Sequence, residues 1–63
     1  TLKGEIHKAI GDYNQAIKMD PNDASAYALR GLAYKKIGKL EKAKKDFDKF
    51  VKLKKTKQKN EQQ

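Results

Sequence analysis

The sequence predicts an all-α fold in which three helices pack as antiparallel hairpins. Three observations carry this. Apolar residues recur on a helical period in three stretches. The stretches are separated at Asp20-Pro21 and at Gly38, both helix breakers. The first and third stretches repeat one another 34 residues apart.

In the first stretch Ile6, Ala9, Ile10, Tyr13, Ala16 and Ile17 fall at i, i+3, i+4, i+7, i+10 and i+11, one stripe of a 3.6-residue helix. A strand is excluded because Ala9 and Ile10 are adjacent and both apolar. Pro21 lacks an N–H and disfavours helix at Asp20, so the stretch ends there. Gly11 lies inside it. A mid-helix glycine costs about 1 kcal/mol relative to alanine, and Gly11 reads as a tolerated surface residue, with a close-packing contact as the alternative.

The second stretch runs from about Ala24 to Ile37. Asn22 or Asp23 can cap it by accepting a bond from an orphan backbone N–H. Ala24, Tyr27, Gly31 and Tyr34 form its stripe. Gly38 stops it, with Lys35 and Lys36 at the negative end of the helix dipole. The third stretch begins near Lys39 or Leu40. Leu40, Ala43, Phe47 and Phe50 repeat at i, i+3, i+7 and i+10, widened by Val51 and Leu53. Residues 54–63 contain no apolar side chain; they can prolong the helix into solvent or fray, and order is expected to decay there.

Shifting the sequence by 34 residues places Gly4 on Gly38, Ala9 on Ala43, Asp12 on Asp46, Ile6 on Leu40, Tyr13 on Phe47 and Ile17 on Val51. With this period, Tyr27-Ala-Leu-Arg-Gly31-Leu-Ala-Tyr34 followed by Ala43-x-x-x-Phe47 resembles the tetratricopeptide repeat. Ala9-x-x-x-Tyr13 and the Asp20-Pro21-Asn22 turn are similar to the end of a preceding repeat. The resemblance covers about residues 2–55. It implies a right-handed solenoid fragment in which residues 1–21 are the second helix of a preceding repeat, 22–55 one complete repeat, and 56–63 a basic, polar tail. It also implies that Ala9, Tyr13, Tyr27, Gly31, Tyr34, Ala43 and Phe47 pack the helices. The small residues Gly31 and Ala43 let two helices approach, and the aromatics fill the surrounding space. The sequence departs from the family at Arg30, where leucine is usual, at Phe50, where a small residue is usual, and at Lys55 in place of the turn proline. Lys55, with Lys44 where the first copy has Ile10, is expected to close the array.

Composition narrows function. The 63 residues include no cysteine and one histidine. Disulfides are impossible, a structural zinc is improbable, and no metal or cofactor is expected. A core of this size yields about 3–5 kcal/mol unless something reinforces it. The stripe from Ile6 to Ile17 lacks a partner helix that a full repeat would supply. A three-helix bundle could cover part of it, and a second copy of the chain the rest, so a homo-oligomer is expected. No apolar run approaches the roughly 18–20 residues that cross a bilayer. A soluble chain is expected, and the lack of cysteine fits the cytoplasm. An opening Thr1 in place of Met suggests a piece of a longer protein.

Catalysis is not expected. His7 and Ser25, the one histidine and the one serine, fall on different helices. Asp12, Asp46 and Asp48 lie among lysines, an environment wrong for a general acid. The four glycines are too widely spread for a phosphate loop.

Binding of a protein or peptide is the favoured role. In the family the first helix of each repeat lines a concave groove for peptide segments. Here that helix carries Ser25, Ala28, Leu32 and Lys35 on one face, with Lys36 beside it. Leu32 would anchor an apolar group, and Lys35 and Lys36 would attract an acidic partner. Some members hold the C-terminal carboxylates of heat-shock chaperones with a lysine and an asparagine on this face; Ala28 and Leu32 stand at those places, so that clamp is not expected. The alternative is a polyanion such as nucleic acid. Twelve lysines against three acids in residues 35–59 give that segment +9, whereas the rest of the chain carries −1. Lys52, Lys54 and Lys55 are the candidates for that role. Against it, the aromatics are assigned to core stripes rather than placed between basic residues, so base stacking is not expected.

Overall fold

A computed structural model describes the backbone of residues 1–62 and the side chains of residues 1–55. It contains α1 (Leu2–Met19), α2 (Ala24–Lys36) and α3 (Leu40–Gln62). Each boundary has a local cause. Thr1 caps α1, its hydroxyl accepting the Gly4 N–H at 3.0 Å. At the other end Asp20 is extended, as a residue before proline should be. Its carboxylate accepts the Asn22 N–H at 3.1 Å and closes the turn. Of the two candidate caps for α2, Asp23 is the one used, accepting from the Ala26 N–H at 3.3 Å.

Gly38 ends α2 in the left-handed region, at φ 81°. The Lys39 N–H reaches back to the Tyr34 carbonyl at 2.9 Å, and the Gly38 N–H to the Lys35 carbonyl at 3.1 Å. These are the paired bonds of a Schellman motif, which satisfies carbonyls the helix leaves orphaned. So short a connection forces α2 and α3 antiparallel. Gly4, the copy of Gly38, behaves differently: it lies inside the first turn of α1, because Thr1 has taken over the cap there.

The helices form an open layer rather than a closed bundle. Both α1 and α3 pack on α2, and their backbones do not approach each other. The Cα trace accordingly measures 47 × 23 × 13 Å. A three-helix bundle that covers the α1 stripe is therefore not what forms.

The core is made of small residues. Ile10, Ala26, Gly31, Ala33 and Ala43 are buried. A Cβ on Gly31 would come within 2.9 Å of the Phe47 ring, so the glycine is what lets α3 approach α2. Gly11 has nothing within 4 Å of its would-be Cβ and is exposed, which settles it as a tolerated surface residue. The expected stripe on α2 is one of two inward faces. Gly31 is buried on it and Ala24, Tyr27 and Tyr34 are half-buried, while Ala26 and Ala33, seven residues apart, are buried on another face. A helix between two neighbours must bury two faces, and a single stripe describes one. Beyond Leu53 no apolar residue remains, yet α3 continues to Gln62.

Candidate functional site

Arg30 organises the side of α2 that meets α3. Its Nε donates to Asp46 Oδ2 at 2.8 Å, and its Nη2 donates to Asp46 Oδ1 at 2.6 Å. Its Nη1 donates to Asn14 Oδ1 on α1 at 2.9 Å. One side chain thus ties all three helices. The guanidinium also lies 5.6 Å from the Tyr27 ring centre and 5.7 Å from that of Tyr34. Hydrogen bonding to Asp46 raises the Arg30 pKa above its ordinary value, while burial opposes the shift. The leucine usual at this place would have filled space; Arg30 instead neutralises Asp46, a buried carboxylate.

Lys42 lies 5.6 Å over the Tyr34 ring and Lys49 6.0 Å over that of Tyr27. The expectation that the aromatics keep to core stripes, apart from basic residues, is corrected by this arrangement. From Lys49 through Tyr27, Arg30 and Tyr34 to Lys42, cations and rings alternate. They can do so because half-buried tyrosines leave a face for a neighbouring cation.

The other side of α2 faces α1 across an open crevice of about 160 Å³. Ile6, Ala9 and Tyr13 line it from α1, and Leu29, Leu32, Ala33 and Lys36 from α2. The spacings are i, i+3, i+7 on α1 and i, i+3, i+4, i+7 on α2, so each helix turns one continuous ridge to the gap. Leu29 and Leu32 keep 45% and 48% of their surface in water. Two adjacent, half-exposed leucines beside an apolar wall can accept an apolar group, and Lys36 at the edge can accept a carboxylate.

The structure brings together two residues of the sequence-predicted groove, Leu32 and Lys36. Ser25, Ala28 and Lys35 do not line the crevice; Ser25 and Lys35 are exposed and Ala28 is half-buried. Sequence reading missed Leu29 and the whole α1 wall as residues that line a crevice. The available signal was the 34-residue copy. Ala43 and Phe47 receive α2, so their copies Ala9 and Tyr13 carry the matching shape without an equivalent helix on them. His7 and Ser25 are exposed on separate helices. No described helix is long and apolar enough to cross a membrane.

Comparison with known proteins agrees with this architecture. A family profile described as TPR repeat matches residues 1–38, and one described as tetratricopeptide repeat matches residues 24–57. "Hsp70-Hsp90 organizing protein 3" of Arabidopsis thaliana is 41% identical over 46 residues, covering 73% of this chain and 8% of that protein. "Hsp70-Hsp90 organizing protein" of Triticum aestivum and "Hsp70-Hsp90 organizing protein 1" of Glycine max are each 39% identical over the same length. The chain spans about 8% of the length of these relatives. No solved structure matches at comparable stringency.

Proposed function

The chain belongs to the tetratricopeptide-repeat family, whose units are scaffolds for protein–protein interaction and not catalysts, and from that premise we propose that the α1/α2 crevice is its binding surface. The partner is a protein segment that presents an apolar anchor beside an acidic group. The carrying observation is the exposed Leu29–Leu32 pair, walled by Ile6, Ala9 and Tyr13 and edged by Lys36. Burying one Leu-sized anchor there contributes about 1.5–3 kcal/mol. Stable binding therefore draws on further contacts along α2, to which the remaining predicted residues Ser25, Ala28 and Lys35 belong.

The chain also self-associates in this reading. With α3 on one side of α2 and α1 on the other, the outer side of α1 carries no third helix, and a second copy reduces the apolar area left in water. The sequence carries no cysteine, which is compatible with a reducing compartment such as the cytoplasm. The names of the relatives point to chaperones. Ala28 and Leu32 do not offer the lysine and asparagine expected of a carboxylate clamp, so a chaperone partner would have to be held through the apolar crevice instead.

A displayed peptide library tests the crevice. Selection on the intact chain should enrich sequences with a bulky apolar residue near Asp or Glu. Those peptides should lose at least tenfold in affinity for a Leu32→Glu, Lys36→Glu variant that keeps its helical circular dichroism. Enriched peptides that bind both chains equally contradict the proposal.

A further inference from the structure

Helix α3 shows what helix α1 is shaped to receive. The two are copies 34 residues apart, and α3 holds α2 on one face. On that face Ala43 is buried, and the Phe47 ring lies against Gly31. Asp46 takes two hydrogen bonds from Arg30, and Lys42 stands over the Tyr34 ring. The copies on α1 are Ala9, Tyr13, Asp12 and Lys8. They keep the small residue, the ring, the acid and the base in the same order.

On α1 this face is open. Helix α2 covers α1 from another side, the one marked by the buried Ile10. At about 100° per residue Asp12 lies about 160° around the axis from Ile10, with Ala9 and Tyr13 between them. Ala9 is half-buried where Ala43 is buried. Asp12 is exposed and pairs with none of the described residues, whereas Asp46 is buried and paired. Ala9 and Tyr13 also border the crevice, whose opposite wall is Leu29 and Leu32. A helix laid on this face of α1 therefore covers the crevice as well. The far side of α3 offers no matching seat. There the copy of Ile10 is Lys44, which is exposed, and Lys52, Lys54 and Lys55 are exposed beyond it, Lys54 lying 5.3 Å over the Phe50 ring.

We propose that the partner of the α1/α2 crevice is an α-helix of another protein, antiparallel to α1, with an arginine followed by glycine or alanine; this rests on the crevice being the binding surface. The arginine pairs with Asp12 as Arg30 pairs with Asp46. The small residue meets the Tyr13 ring as Gly31 meets that of Phe47. An aromatic residue four positions after the arginine stands over Lys8 as Tyr34 stands over Lys42. The apolar anchor of the same helix rests on Leu29 and Leu32. A second copy of the folded chain does not offer such a helix. Arg30 is its one arginine, and its own α3 already holds Arg30 and Gly31. The partner helix and a second copy therefore compete for the outer side of α1.

A fluorescein-labelled peptide of residues 22–38, with Lys35→Glu and Lys36→Glu to suit Lys36 of the chain, is the probe. Fluorescence anisotropy with the intact chain should show saturable binding. Asp12→Arg in the chain should weaken it about tenfold or more, and so should Arg30→Glu in the peptide. The two changes together should recover most of the loss, which places the peptide at Asp12 and not in exchange for α2 on α3. Gly31→Leu in the peptide should weaken binding similarly although leucine favours helix. Circular dichroism confirms that the chain variants stay helical. Binding that is lost with Leu32→Glu in the chain, yet indifferent to Asp12→Arg and to Gly31→Leu, would keep the crevice and overturn the helix. No binding of this peptide while library-selected peptides still bind the crevice would do the same. No binding of either would overturn both readings. A dimer in sedimentation that the peptide leaves intact would assign the face to a second copy and also overturn the proposal.

Discussion

Arg30 grips Asp46 with two hydrogen bonds, of 2.8 and 2.6 Å, across the α2/α3 contact. Asp46 is 4% exposed, so without the guanidinium a charge would be buried alone. Removing one partner of such a pair typically costs about 3–5 kcal/mol, and replacing both by apolar groups is often neutral. Arg30 keeps some contact with water, which favours the lower end of that range. Asp46→Ala should thus unfold much of the population at room temperature, as read by urea titration. Arg30→Met with Asp46→Leu should recover most of the loss. A single Asp46→Ala variant as stable as the parent would show that the pair does not hold the hairpin.

Two glycines one helix apart should respond in opposite directions. At Gly31 an added methyl meets the Phe47 ring at 2.9 Å. Overpacking of this kind costs about 1–3 kcal/mol, more than the ~1 kcal/mol gained in helix propensity. Gly31→Ala should lower the melting temperature, and Phe47→Leu in that background should restore part of it. At Gly11 the methyl meets nothing. Gly11→Ala should stabilise by about 1 kcal/mol, or about 4–8 °C in a domain of this size.

Gly38 carries a different requirement, its positive φ of 81°. An L-residue there costs about 1–2 kcal/mol, so Gly38→Ala should destabilise although no atom crowds the site. Gly38→Asn should cost less, because asparagine tolerates this region better. Thermal melts of the two variants check the order. Equal melting temperatures for Gly38→Ala and the parent would mean the turn is not held as described.

The helix breaks were legible because Pro21 and Gly38 act through local backbone chemistry. A close approach of α2 and α3 at Gly31 was legible from the size of the residues and the 34-residue copy, but the expected neighbour was Ala43, and that the Phe47 ring is what a Cβ on Gly31 would meet was not legible. Nor was the burial of Ala26 and Ala33, since one helical stripe cannot reveal that α2 has neighbours on two sides. The Arg30–Asp46–Asn14 cluster was hidden for a related reason. Arg30 lies 16 residues from each partner, and only the tertiary register brings the three together. Gly4 and Gly38 show the limit of the repeat itself: one residue type at equivalent places forms a helical turn in one context and a left-handed stop in the other. In the crevice, Leu32 and Lys36 could be chosen from α2 alone, but the α1 wall required knowing which side of α1 stays open.

Self-association should be visible by sedimentation equilibrium. The intact chain should show a mass above 7.2 kDa as concentration rises from micromolar towards millimolar. A strict monomer throughout would remove the homo-oligomer from the account and leave the crevice reading intact.

The most direct measurement for the account as a whole is a ¹H–¹⁵N correlation titration of the chain with a peptide selected on it. The account predicts shifts concentrated on the amides of Ile6, Ala9, Tyr13, Leu29, Leu32 and Lys36. Shifts centred instead on Lys49 to Lys55, with the crevice amides unmoved, would contradict it.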